Sequence, residues 1–166
     1  KGDLVSTILK KSHEDLLDNL NLIWKKKSLD NPLKTKYDAL ILASIIEKEA
    51  GSHDEKMQIS SVFLSRINKN MRLQADPTII YGILPNFNGD ITRSNIRDKN
   101  NIYNTYVIDG LPPTPIASSS LQSIKAAILA TPGEYLYFVA NSKNSHYFSK
   151  TYEEHLEAIK KFGLDK

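Results

Sequence analysis

Apolar residues at Leu4, Ile8, Leu16, Leu17, Leu20, Ile23 and Trp24 recur at helical spacing, which predicts a helix over residues 3–27. Its end carries Lys25-Lys26-Lys27, cations suited to the negative pole of a helix and to solvent. Asn31-Pro32 breaks the pattern, and a second helix is expected over 35–50. There Leu40, Ile41, Leu42, Ala43, Ile45 and Ile46 leave almost no polar side before Glu47 and Glu49, as befits a central helix. Gly51 is placed to close it. Asp54 can cap a third helix to about residue 69, with Ile59, Val62, Phe63 and Ile67 on one face and Arg66 near the partner side.

The helical rhythm is lost over residues 71–115, a stretch rich in Asn, Asp, Pro and Gly that reads as long ordered loops around one short helix near 77–81. Tyr81, Phe87, Tyr103, Tyr106 and Leu111-Pro112-Pro113 are too many rigid apolar groups for a floppy linker, so a binding surface is expected there. A further helix follows over 121–130. Tyr135-Leu136-Tyr137-Phe138-Val139 and His146-Tyr147-Phe148 flank the turn-rich Asn141-Ser142-Lys143-Asn144-Ser145, a hairpin signature, and residues 153–162 form a closing helix. The fold expected is α+β: mostly helical, with one small antiparallel sheet and long ordered loops.

Composition narrows the function classes. A chain of 166 residues can bury roughly 70% of its unfolded surface, enough for one domain over 1–166 with residues 1–36 as a helical lead-in. The 22 Lys and Arg stand against 19 Asp and Glu, a net charge of +3 with the signs mixed, so no basic track for nucleic acid is expected. Cysteine is absent, which excludes disulfides and thiolate metal sites. No apolar run reaches about 18 residues, and the chain opens on Lys1, so it reads as a soluble piece of something longer whose membrane anchor lies elsewhere.

The one place where chemistry stands out is the end of the second helix. Counting back from Glu49 by three, four and seven gives Ile46, Ile45 and Leu42, so its carboxyl continues an apolar stripe. An apolar wall and the negative end of the helix dipole both disfavour the anion, which raises the pKa toward the range of a general acid. The alternative is a Glu49 that frays outward at a helix end. Glu47, one turn after Ala43 and Ser44, faces a more polar flank and reads as a supporting or surface group.

Other chemistry has little support. His13, His53, His146 and His155 form no metal-ligand pairing, there is no Asp-rich calcium loop, phosphate-cradling glycine motif or nucleophile elbow, and neither metal nor cofactor is expected. His146 reads as a packing or hydrogen-bonding residue that could face a cleft. What remains is an acid beside an aromatic, Asn-rich groove, a combination suited to a neutral polyhydroxy substrate.

Several motifs in one order carry a resemblance over most of residues 40–155. They are Ala43-Ser44-Ile45-Ile46-Glu47-Lys48-Glu49, Ser61-Val62-Phe63-Leu64-Ser65-Arg66, Arg72-Leu73-Gln74-Ala75-Asp76-Pro77-Thr78-Ile79-Ile80-Tyr81-Gly82, Tyr103-Asn104-Thr105-Tyr106, Gly110-Leu111-Pro112-Pro113 and Tyr135-Leu136-Tyr137-Phe138-Val139. Together they resemble the catalytic domain of the MltG (YceG-like) family of endolytic murein transglycosylases. The resemblance puts the catalytic carboxyl on Glu49, the residue the helical stripe also selects. Ser65 stands where the family usually has Asn, and Ser118-Ser119-Ser120 where it usually has Asn-Pro-Gly.

The resemblance implies a lytic cut of the β-1,4 bond after N-acetylmuramic acid that leaves a 1,6-anhydro end. Glu49 would protonate the glycosidic oxygen and then take the proton of the muramyl 6-hydroxyl as that oxygen attacks C1. One carboxylate then suffices, where ordinary glycosidases need two. Gln74, Asp76, Tyr81, Asn104, Thr105 and Tyr106 are expected as substrate-binding residues, with Glu47 and Arg66 behind them. Asp76 could assist, although Asp-Pro-Thr also fits a helix cap, the role favoured here. The partners implied are peptidoglycan strands and peptidoglycan synthases, at the extracytoplasmic face of the bacterial inner membrane. A glycan-binding module without activity and a protein-interaction domain are the alternatives.

Overall fold

The computed structural model describes residues 4–52, 54–141 and 145–164. His53 and the middle of the expected hairpin turn, residues 142–144, lie outside them. The chain runs α1 (Val5–Trp24), α2 (Lys36–Glu49), α3 (Lys56–Asn68), α4 (Asp76–Ile83), α5 (Arg93–Arg97), α6 (Leu121–Leu129), β1 (Tyr137–Ala140), β2 (His146–Ser149) and α7 (Tyr152–Lys161). It is a mostly helical α+β fold whose two strands pair antiparallel, Tyr137 opposite Ser149 and Ala140 opposite His146.

Helix α2 is the axis. A capping box starts it: the Asp38 backbone N–H donates to Thr35 Oγ1 at 3.0 Å and the Thr35 N–H to Asp38 Oδ2 at 2.9 Å. Ala39 and the run from Ile41 through Ile46 are all buried, because α1, α3, α4 and α6 pack around the helix. Ser44, polar in this apolar run, donates to Ile41 O and accepts the Ile116 N–H at 2.9 Å, fixing the loop before α6 against the axis.

Buried asparagines complete the ends of two helices. The Asn31 amide reaches the carbonyls of Ala127, Ile128 and Ala130 at 2.9–3.1 Å, closing α6 from another part of the chain. Asn104 does the same for α5, its amide within 3.1 Å of the carbonyls of Asn95, Ile96 and Asp98. Gly82 in α4 is required by a neighbour, since a Cβ there would strike the Asn101 side chain that donates to Ile79 O and accepts from Tyr103 N–H.

Several local expectations need correction. Helix α2 ends when Ala50 turns extended, at φ −73° and ψ 122°, one residue before Gly51. Asp54 does not cap α3, whose N-cap is Glu55 with no side-chain capping bond. The Glu55 carboxylate is used instead by the hairpin, accepting the His146 backbone N–H at 2.6 Å and lying 3.0 Å from its Nδ1. The loop region holds a second short helix, α5, because Thr92 and Asn95 form a capping box. In α1 only Leu20 and Ile23 are buried, and Leu4 and Ile8 of the apolar stripe are exposed.

Candidate active site

Helix α2 ends at the floor of a cleft of about 320 Å³ lined by Glu49, Arg66, Gln74, Asp76, Tyr106, Tyr137, Phe138, Tyr152 and His155. Glu49 is the last residue of the helix and is only partly exposed. No hydrogen bond supports its carboxyl among the described residues. Burial and the neighbouring Asp76 carboxylate push its pKa up to about 8, more than the nearby Arg66 cation draws it down. Near neutral pH this carboxyl holds its proton.

The wall beside it depends on Thr105. Its buried hydroxyl accepts the Ala75 N–H at 2.9 Å and lies 2.9 Å from Thr78 Oγ1, while its carbonyl accepts the Gln74 N–H at 3.1 Å. Gln74 is thereby held at a left-handed φ of 50°, and its exposed side chain lines the cleft. The same seam brings Tyr106 to Asp76, the phenol donating to Asp76 Oδ1 at 2.6 Å. Burial and that bond raise the Tyr106 pKa well above its ordinary value, so the phenol stays a donor.

Arg66 is buried and ties two walls together, donating from Nε to Leu136 O at 2.7 Å and from Nη1 to Leu73 O at 2.5 Å. Its guanidinium also lies 5.4 Å from the centre of the Tyr137 ring.

Glu47 sits two residues before Glu49 in an opposite environment. Burial would raise its pKa, but Oε2 accepts from Ser120 Oγ at 2.6 Å, Ser123 Oγ at 2.5 Å, Lys56 Nζ at 3.0 Å and Ser120 N–H at 3.0 Å. These bonds win and lower the pKa to about 2. Glu47 is a fixed anion that fastens the starts of α3 and α6 to α2. Ser120, in the stretch where the family resemblance departs, is both one of its donors and the N-cap of α6. Ser65, the other departure, closes a bond pair with Gly133, donating to its carbonyl and accepting its N–H.

These positions match a known family. The profile of the YceG-like family covers residues 1–161. The chain belongs to the YceG-like family. It is 38% identical over 123 residues to an endolytic murein transglycosylase of Bacillus subtilis (strain 168), covering 74% of this chain and 34% of that protein. It is also 32% identical over 144 residues to an endolytic murein transglycosylase of Streptococcus pneumoniae (strain ATCC BAA-255 / R6), covering 82% of this chain and 25% of that one. A crystal structure of a yceG-like protein from Listeria monocytogenes superposes with a TM-score of 0.67 at 44% identity, over 74% of this chain and 40% of that one. This YceG-like chain thus spans about a third or less of the length of the curated relatives it matches. Among the described residues no helix is long and apolar enough to cross a membrane, and no cluster of His, Asp and Glu forms a metal site.

Of the residues expected at the site, the cleft of this YceG-like chain brings together Glu49, Arg66, Gln74, Asp76 and Tyr106. It does not include Asn104, Thr105 or Tyr81 among its lining residues. Asn104 and Thr105 are fully buried with their polar atoms committed to the loop, and Tyr81 packs edge-on against Tyr103, centroids 4.7 Å apart. Asp76 corrects the favoured cap reading: Ala75 is the N-cap of α4, and Asp76 is its first helical residue with its carboxylate on Tyr106. His146 lines no part of this cleft and packs edge-on against Phe138. Four lining residues were not among those expected at the site: Tyr137 and Phe138, which belong to one of the motifs carrying the resemblance, and Tyr152 and His155. The available signal was faint: an aromatic run in a strand, and Tyr152 and His155 three apart on a helix.

Proposed function

We propose that this chain is the catalytic part of an endolytic peptidoglycan lytic transglycosylase that cleaves the β-1,4 bond between N-acetylmuramic acid and N-acetylglucosamine and leaves 1,6-anhydromuramyl ends. The observation that carries the reading is the Glu49 carboxyl, partly buried and without a hydrogen bond among the described residues, in a polar and aromatic cleft of a chain whose curated relatives bear that enzyme's name. Glu49 donates its proton to the glycosidic oxygen. The resulting carboxylate accepts the proton of the muramyl 6-hydroxyl, whose oxygen closes on C1 of the same sugar, so no water is consumed. Asp76, anchored by Tyr106, keeps Glu49 loaded with its proton until the leaving oxygen arrives. Gln74 and Tyr106 are the proposed polar contacts to the glycan, with Arg66 bracing them.

In this reading the chain works outside the cytoplasm on nascent strands and sets their length. It is held at the inner membrane by an N-terminal anchor and has synthases as partners. Digestion of isolated sacculi followed by mass spectrometry tests it. The parent chain should release 1,6-anhydro muropeptides, lighter than hydrolytic products by one water and resistant to borohydride, and Glu49→Gln should release none. Saccharide binding without cleavage would leave a glycan-binding module. Reducible ends would reject the intramolecular route and point to Asp76, or another carboxylate, as the activator of water.

A further inference from the structure

Four residues lining the cleft, Tyr137, Phe138, Tyr152 and His155, have no part in that mechanism, and His155 is the one with titratable chemistry near neutral pH. Helix α7 opens with a Thr151–Glu154 capping box, which sets Tyr152 and His155 three residues apart on the face that meets β1. Both rings contact Tyr137: Tyr152 at 5.8 Å between centroids, and His155 at 5.2 Å and nearly parallel, with 23° between the planes. The imidazole is therefore held by stacking. Its Nδ1 is buried and meets no hydrogen-bond partner among the described residues.

That orphaned nitrogen decides the tautomer. A buried N–H with no acceptor is rarer and costlier than a buried lone pair with no donor. An imidazolium would leave such an N–H at Nδ1, and burial together with the Arg66 cation lowers the His155 pKa in the same direction. A neutral ring with its lone pair at Nδ1 carries the proton on Nε2.

Some of the donors lining the cleft are already committed, while others, the Gln74 amide among them, stay open to a ligand. Tyr106 gives its hydroxyl to Asp76, and Arg66 gives Nε and Nη1 to backbone carbonyls. A further cation here would also favour the Glu49 anion and defeat the acid, so a neutral donor suits the site. We propose that His155 is a substrate-binding residue whose Nε2–H donates to a saccharide oxygen, an acetamido carbonyl or a hydroxyl, while Tyr137 fixes the plane of the imidazole. The proposal rests on the glycan reading of the cleft and adds a contact to it.

Heteronuclear NMR of the imidazole nitrogens in the whole chain tests it directly. His155 should be neutral near neutral pH with its proton on Nε2, and an N-acetylglucosamine trisaccharide should move the Nε2 resonance. A shift that persists with the de-N-acetylated trisaccharide assigns a hydroxyl, and one that needs the acetyl groups assigns the carbonyl. An Nδ1–H tautomer, an imidazolium, or an Nε2 resonance unmoved when other cleft signals are saturated would overturn the assignment.

Kinetics on sacculi add a second readout. His155→Gln keeps an N–H donor and should stay within a few-fold of the parent. His155→Phe keeps the stacked ring and should lose about tenfold in kcat/KM, mainly through KM, with circular dichroism unchanged. The reverse order would make His155 a packing residue. If the trisaccharide moves Nε2 while the parent fails to cut sacculi, the His155 contact stands and the transglycosylase reading falls.

Discussion

Glu47 and Glu49 share one helical turn and one residue type, yet the protein drives their pKa values to about 2 and about 8. The difference lies in what each carboxyl meets. Glu47 receives four hydrogen bonds from three residues, and those donors outweigh its burial. Glu49 receives none among the described residues and has the Asp76 carboxylate as a neighbour. Burial penalises both anions and Glu49 lies the deeper, so the lesson is that depth of burial and hydrogen-bond supply together separate a structural anion from a poised acid.

The sharpest way to break this comparison is to exchange each carboxyl for an amide. Glu49→Gln should cut cleavage of sacculi by at least about a hundredfold with the fold intact, because the amide can neither give nor take the proton. Glu47→Gln should retain most activity in the folded fraction. Its cost should appear in denaturant unfolding, at about 1–3 kcal/mol, since Ser120, Ser123 and Lys56 lose their shared charged acceptor. An inactive, fully stable Glu47→Gln beside an active Glu49→Gln would reverse the roles.

Stability against pH should show the two carboxyls with opposite signs. For Glu49 the folded state keeps a proton that the unfolded chain releases near the ordinary 4.5, so stability falls as pH rises from about 4.5 to about 8. The slope approaches about 1.4 kcal/mol per pH unit, and Glu49→Gln should remove it. For Glu47 the unfolded chain takes up the proton first, so its contribution is complete above about 4.5 and is lost as pH falls toward about 2. Glu47→Gln should flatten that acid limb alone.

Asp76→Asn should give a smaller change. Removing this charge should lower the alkaline limit of activity by about one pH unit, the usual scale for a nearby like charge, while the products remain anhydro ends. An unchanged pH profile would detach Asp76 from Glu49.

How much of this was legible in the sequence varies by residue. Glu49 could be found because Leu42, Ile45 and Ile46 are close in sequence and a helix makes their geometry predictable. Asp76 misled because Asp-Pro-Thr satisfies the rules for a cap, yet the helix starts at the aspartate and Tyr106, thirty residues on, takes its carboxylate. Asn104 misled because a groove asparagine and a buried helix-closing asparagine look alike as letters. Its placement predicts that Asn104→Ala costs about 1–3 kcal/mol of stability, measurable by thermal or denaturant unfolding. His155 was illegible because its setting is made by Tyr137 and Arg66, brought to it by the tertiary fold.

The central claim is that the end of α2 holds a carboxyl protonated near neutral pH, and an NMR titration of the side-chain carboxyl carbons in the folded chain tests it without depending on substrate. The Glu49 signal should titrate with a midpoint near 8, while the Glu47 signal stays that of an anion down to strongly acidic pH. A Glu49 midpoint at the ordinary carboxyl value of about 4.5 would contradict the account, because the cleft would then hold no acid to begin the reaction.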